Sequence, residues 1–104
     1  MGYEIFSVKC DVLDEVSVAS AVEQILQVSS KVDILINAAG GNMPGATVMP
    51  EQTVFDISVE QFRKVNDLNL LGTVIPTITF TKLMVELFIP RKGYEICNVQ
   101  FSRC

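Results

Sequence analysis

The amino-acid sequence predicts an α/β domain with parallel strands, and two observations carry that prediction. Strand-like and helix-like segments alternate in the order strand, helix, strand, helix, strand, which joins parallel strands through right-handed crossovers. One of those strands, residues 32–37 (VDILIN), is a near-continuous apolar run. That is the pattern of a parallel strand covered on both faces. The chain has 104 residues, enough for one small domain over residues 1–104. Hydrophobic residues make up 49% and charged residues 19%, which is not the composition of a disordered tail.

The elements follow in order. Residues 3–8 (YEIFSV) are rich in strand formers with loose alternation and predict a short strand. A helix over about residues 15–29 comes next. Asp14 is placed to accept from the free amides of its first turn, and Val18, Val22, Ile25 and Leu26 recur at helical spacing. Residues 32–37 form the second strand and stop at Ala38-Ala39-Gly40-Gly41; Pro44, Gly45 and Pro50 mark the following loop. Ser58 opens the second helix as a capping box with Gln61, and the helical pattern runs to about Phe88. Pro76 is expected to kink or break it near Gly72, whose carbonyl its ring would meet. Pro90 and Gly93 close the helix, and residues 94–99 (YEICNV) are the third strand.

Composition excludes several chemistries. Histidine is absent, so no Ser-His-Asp triad, Cys-His dyad or His-ligated zinc can form. Cys10, Cys97 and Cys104 are far apart and odd in number, predicting no metal site and no disulfide framework, but buried thiols in a reducing cytoplasm. A net charge of −4 without a basic patch argues against nucleic acid as a partner. The longest uncharged apolar run, residues 68–81, is shorter than the roughly 20 residues of a membrane span. It predicts a buried helix and no membrane. No signal-peptide core and no myristoylation pattern occurs at the start, where Phe6 stands at the position the latter needs.

In an open parallel sheet, ligands bind beyond the carboxyl ends of the strands. Those ends are Cys10-Asp11-Val12, Asn37 to Gly41, and Asn98-Val99. Small residues and glycines after residues 32–37 let backbone approach a flat ligand closely; a tight turn explains them equally well.

Four motifs occur in order: Cys10-Asp11-Val12-Leu13-Asp14, then Val32 to Gly40 (VDILINAAG), then Asp67 to Thr73 (DLNLLGT), then Ile96-Cys97-Asn98-Val99. Together they resemble the short-chain dehydrogenase/reductase family. The resemblance implies a partial Rossmann-like, doubly wound parallel sheet and an NAD or NADP cofactor. It implies that Asp11 accepts from the adenine amino group with Val12 beside the ring, although Asp11 also suits a solvated turn. Asn37, Ala38, Ala39 and Gly40 match the family's Asn-Asn-Ala-Gly turn, which lines the cofactor ribose and ties the central strands together; Ala38 departs from its second Asn. Asn69 matches the helix Asn of the catalytic tetrad, whose implied role is to hold a water linking the catalytic lysine to solvent. Asn is also a poor residue for a helix interior, and Asn69 reads equally well as a structural amide bonded to nearby backbone. Gly40-Gly41-Asn42, Pro50-Glu51-Gln52-Thr53 and Gly72 to Thr77 further resemble sugar-acid oxidoreductases of mannonate/fructuronate type.

Departures from the family set the remaining expectations. The six glycines form no phosphate-binding loop, no Tyr-x-x-x-Lys is present, and Gln100 and Phe101 stand where the family has a serine pair. The chain is therefore expected to be a central fragment of an oxidoreductase that moves a hydride between a nicotinamide and a secondary alcohol or ketone. It carries one tetrad member and is expected to be inactive alone, the small-molecule substrate belonging to the intact relative. The alternative is a non-enzymatic protein that binds a full-length homologue through its apolar helix, residues 59–88, a surface that also suits a homo-oligomer. The family's strand order 3-2-1-4-5 leaves a gap of about 14 Å between residues 3–8 and 32–37, at about 4.8 Å per strand. Either the first strand re-docks across it or the chain folds only in part.

Overall fold

The computed structural model describes residues 4–86 and 95–98. Helix α1 (Glu15–Val28) leads to strand β1 (Ile34–Asn37). Helix α2 (Val59–Asn66) runs through a wide π turn (Asp67–Leu71) into helix α3 (Gly72–Glu86), and strand β2 (Glu95–Asn98) follows. β1 and β2 pair in parallel, with Ile34 opposite Glu95 and Asn37 opposite Asn98. The helix-linked parallel pair is the α/β arrangement that the segment order predicts.

Local chemistry sets the helix ends. The Asp14 carboxylate accepts from the Val16 amide at 3.0 Å, and the Ser29 amide closes the far end on the Ile25 carbonyl. α1 buries Val18 and Ala21; Leu26, expected on the buried face, is 37% exposed. Ser58 caps α2 through Gln61 N at 3.3 Å. The reciprocal half of the expected box is not made, because the Gln61 side chain turns away to the loop. A complete capping box forms instead at Thr53 and Asp56.

Pro76 sits inside α3 without breaking it. The irregularity falls one turn earlier, at Asp67–Leu71, where a wide turn joins the proline-containing helix to α2. Gly72 is buried at that junction: a β-carbon there would stand 3.1 Å from Val12 Cγ2. Its absence lets α3 lie close under the Val12 turn. The core joins α1 to α3, with Val18, Ala21, Leu83 and Met84 buried, and α3 also packs on β1.

Four expectations fail, for a common reason: elements that the sequence reads as flanked lack a neighbour on one side. Residues 4–8 are extended but join no ladder, and Ile5 is 90% exposed. Cys10 is exposed rather than buried. β1 is covered on one face only, leaving Ile34 and Ile36 exposed. The long helix is mostly uncovered too: only 28% of its most apolar stretch is buried, so residues 68–81 are not a buried helix. By length and composition alone, Val59–Val85, at a mean hydropathy of 1.4, is long and apolar enough to cross a membrane. The expected gap beside β1 is present as a cavity of about 270 Å³, walled by Val8, Cys10 and Val12 opposite Leu35 and Ile36. The predicted helix end near Phe88, its stop at Pro90 and Gly93, Tyr94, Val99 and Cys104 lie outside the described residues.

Candidate functional site

The carboxyl ends of the strands gather the residues singled out from sequence. Asn37, the last residue of β1, is buried at 6% exposure. Its amide donates to Thr77 Oγ1 of α3 at 3.0 Å and to Asn98 Oδ1 of β2 at 2.9 Å. Both Nδ2 protons are thereby committed. One side chain pins together the two strands and the helix beneath them. The strand-tying role that the resemblance implies has a direct physical basis here; a ribose contact through the same nitrogen has none.

Beyond Asn37 the chain passes through Ala38, Ala39, Gly40 and Gly41, all exposed. Ala38 and Ala39 line the cavity beside β1, as do Val12 and Asn37. No charged side chain lines that cavity. Gly40 and Gly41 are held from the other side by Asn69. Asn69 Oδ1 accepts from the Gly41 amide at 3.2 Å, and Nδ2 donates to the Gly41 carbonyl and to the Val65 carbonyl, each at 2.7 Å. Asn69 lies in the π turn, where the widened ladder brings its amide toward both groups. A β-carbon on Gly40 would meet Asn69 Oδ1 at 2.8 Å. Glycine at that position is thus a condition for the clamp.

A second clamp lies one loop further on. The Gly45 amide donates to Gln61 Oε1 at 2.7 Å, and the Gly45 carbonyl accepts from the Ser58 amide at 2.7 Å. A β-carbon on Gly45 would fall within 2.3 to 2.8 Å of the Gln61 amide group. Between the clamps, Asn42 accepts from the Met43 amide and donates to Thr47, both at 2.8 Å. The loop leaving β1 is thus fastened to α2 and its π turn at two points. The sequence did not reveal Gln61 as a loop anchor, because its position three residues after Ser58 is also that of a capping box. A glycine in a loop facing a helix start was the signal available.

Asp11 stands at the end of the first extended segment. Its amide donates to Ser17 Oγ at 2.8 Å and its Oδ1 accepts from the Leu13 amide at 3.0 Å, an Asx turn. The carboxylate is exposed, and its other oxygen makes no hydrogen bond among the described residues. Val12, half-buried, rests on Gly72. The structure brings Val12, Asn37, Ala38 and Ala39 around one cavity; Asp11, Gly40 and Asn69 stand outside its lining. Among the described residues no three His, Cys, Asp or Glu side chains come together as metal ligands would.

Comparison with known proteins places this geometry. The model of the short chain dehydrogenase family matches residues 1–100. An oxidoreductase of Thermotoga maritima is 30% identical over 102 residues, covering 98% of this chain and 36% of that protein. One of Haemophilus influenzae is 34% identical over 101 residues, covering 88% of this chain and 34% of that protein. A solved structure with bound NAD from the same organism, provisionally named a D-mannonate oxidoreductase, superposes with a TM-score of 0.76 at 34% identity. That match covers 86% of this chain and 34% of the other. The chain spans about a third of the length of the curated relatives it matches. The strand-end geometry and the match over nearly its whole length agree: the chain belongs to the short-chain dehydrogenase family.

Proposed function

We propose that the chain provides the adenine and ribose side of an NAD- or NADP-dependent oxidoreductase acting on a secondary alcohol or ketone, with a sugar acid as the substrate class. The single observation that carries this reading is the doubly clamped loop after β1, which offers small, exposed Ala38, Ala39 and Gly40 beside a cavity next to Val12. The bound-NAD D-mannonate oxidoreductase at 34% identity supports the cofactor and the substrate class.

The residues present suit part of the cofactor. The unengaged oxygen of Asp11 can accept from an adenine amino group, and Val12 offers the ring an apolar face. Ala38, Ala39 and Gly40 admit a ribose, lacking side chains that would hold it off. Nothing in the sequence forms a pyrophosphate cradle. When bound, the nicotinamide supplies hydride transfer. This chain's share is positioning: Asn37 fixes the strand ends, Asn69 holds Gly40 and Gly41, and Gln61 holds Gly45. Asn69 is a positioning residue in this reading. Both its Nδ2 protons are engaged, which leaves one Oδ1 lone pair for a relay water. The chain alone is inactive, and its setting is cytoplasmic.

A chimera tests this. Residues 1–99 replace the matching third of the H. influenzae oxidoreductase. Expected are NAD binding and turnover of a sugar acid by the chimera, with no turnover by the 104-residue chain. A folded chimera that binds no nicotinamide cofactor overturns the reading, and so does turnover by the chain alone.

A second reading rests on one specific observation. Val59, Phe62, Leu70, Val74, Ile78 and Val85 are exposed at helical spacing along one stretch of α2 and α3. Such a stripe binds another apolar helix, in a full-length homologue or in a homo-oligomer. Co-purification with a homologue, lost on Ile78→Lys, supports it; unchanged capture by that variant removes it.

A further inference from the structure

We propose that residues 4–8 of one copy of this chain dock as a strand on the open edge of β1 in a second copy, reciprocally, giving a strand-exchanged dimer. The inference stands apart from nicotinamide chemistry and from the helix stripe.

The first observation is a pair of unmet backbone edges. β1 pairs with β2 on one side only, and residues 4–8 (EIFSV) are extended with no hydrogen bond among the described residues. Unpaired strand edges join other strands, within a chain or between chains. The second is the cavity of about 270 Å³ alongside that edge. Val18, Ala21, Pro76 and Phe80 contribute to its lining, and no charged side chain does. A cavity with an apolar lining and a backbone edge as one wall accepts an extended, uncharged strand better than a polar ligand.

Docking within one copy is blocked. Residues 8–12 form the opposite wall of the cavity and are anchored there. Val12 lies against Gly72, and Asp11 is tied to Ser17, Leu13 and Asp14. Crossing to β1 in the same copy would dislodge those contacts. In a second copy nothing needs to move except residues 4–9. Phe6 has the same parity as Val8, Cys10 and Val12, whose side chains line the cavity, so it would enter the corresponding cavity of the partner copy. Ile5 would lie beside the exposed Ile34 and Ile36.

The surface area fits a second copy. The chain exposes 8381 Å², against about 5,800 Å² for a compact monomer of its mass. Its radius of gyration is 17.3 Å, against about 13 Å for a compact domain of its length. The excess, about 2,600 Å² per chain, is well above the roughly 800 Å² each partner buries in an ordinary stable interface.

The test is sedimentation equilibrium of the full chain, combined with amide hydrogen exchange. Expected is a dimer in which the amides of residues 5–8 are protected, with that protection lost on dilution to monomer. Ile5→Lys alters a side chain that is 90% exposed in the single copy, so it leaves the circular dichroism unchanged while weakening the dimer about tenfold or more. Ile78→Lys, on the helix stripe, leaves this dimer intact. A monomer at all concentrations overturns the proposal. A dimer that resists Ile5→Lys and yields to Ile78→Lys also overturns it, assigning association to the helix stripe.

Discussion

Replacing Asn37 with alanine removes the one side chain that bridges β1, β2 and α3. Two neutral hydrogen bonds disappear, at 3.0 Å to Thr77 and 2.9 Å to Asn98. At about 1 kcal/mol net for each, the expected loss is about 2 kcal/mol. Asn98 is exposed and regains water, so its freed oxygen adds little; Thr77 is half-buried and sets the upper side of the range. The assay is urea unfolding at fixed protein concentration, followed by far-UV circular dichroism. With a urea dependence of about 1 to 1.5 kcal/mol per molar for a chain this size, the midpoint should fall by roughly 1.5 to 2 M. A double-mutant cycle with Asn98→Ala isolates the strand-to-strand bond, and its coupling should be about 1 kcal/mol. A loss for Asn37→Ala below about 0.5 kcal/mol, or a coupling near zero, would refute the assignment of Asn37 as the tie between strand ends.

Further outcomes follow from the same geometry. Gly45→Ala should drive the Gln61 amide off the loop and cost about 1 kcal/mol; Gln61→Ala should then add almost nothing on top, and additive losses in the urea midpoint would count against the clamp. Asp14→Ala should lower stability by about 1 kcal/mol through the lost cap on Val16, visible as reduced helical ellipticity that Asp14→Ser restores. Met84→Ala, at a residue 2% exposed, should cost about 2 to 4 kcal/mol, and a loss under 1 would show that α1 and α3 do not pack as described. Asp11→Asn keeps the acceptor for the Leu13 amide, so the urea midpoint should hold; in the chimera it should weaken NAD binding about tenfold, the effect of about 1.4 kcal/mol.

Much of the fold was legible from local chemistry. The Asp14 cap, the apolar spacing of α1 and the run ILIN before small residues each depend on neighbours within a few positions, and each is where the sequence places it. The parallel order followed from alternating elements. The same local rules misplaced the burial. An apolar run such as residues 32–37 reports that its side chains favour cover, and cannot report whether a covering element is present. Ile34 and Ile36 are therefore exposed, and residues 4–8 are extended without a partner. The helix stripe is bare for the same reason.

The candidate site divides along the same line. By itself the sequence determined the residue types at the strand ends: an exposed carboxylate at Asp11, an amide at Asn37, small residues from Ala38 to Gly41, and an out-of-place amide at Asn69. Only the tertiary structure decided what those groups touch. Asn37 meets Thr77 and Asn98, which lie 40 and 61 residues away in sequence, and Asn69 reaches back 28 residues to Gly41. Hydrogen bonds depend on distance and angle in space, and no periodicity along the chain encodes a partner that far off. The two clamps on the loop after β1 are consequently properties of the folded chain, while the residues able to form them were already present in its sequence.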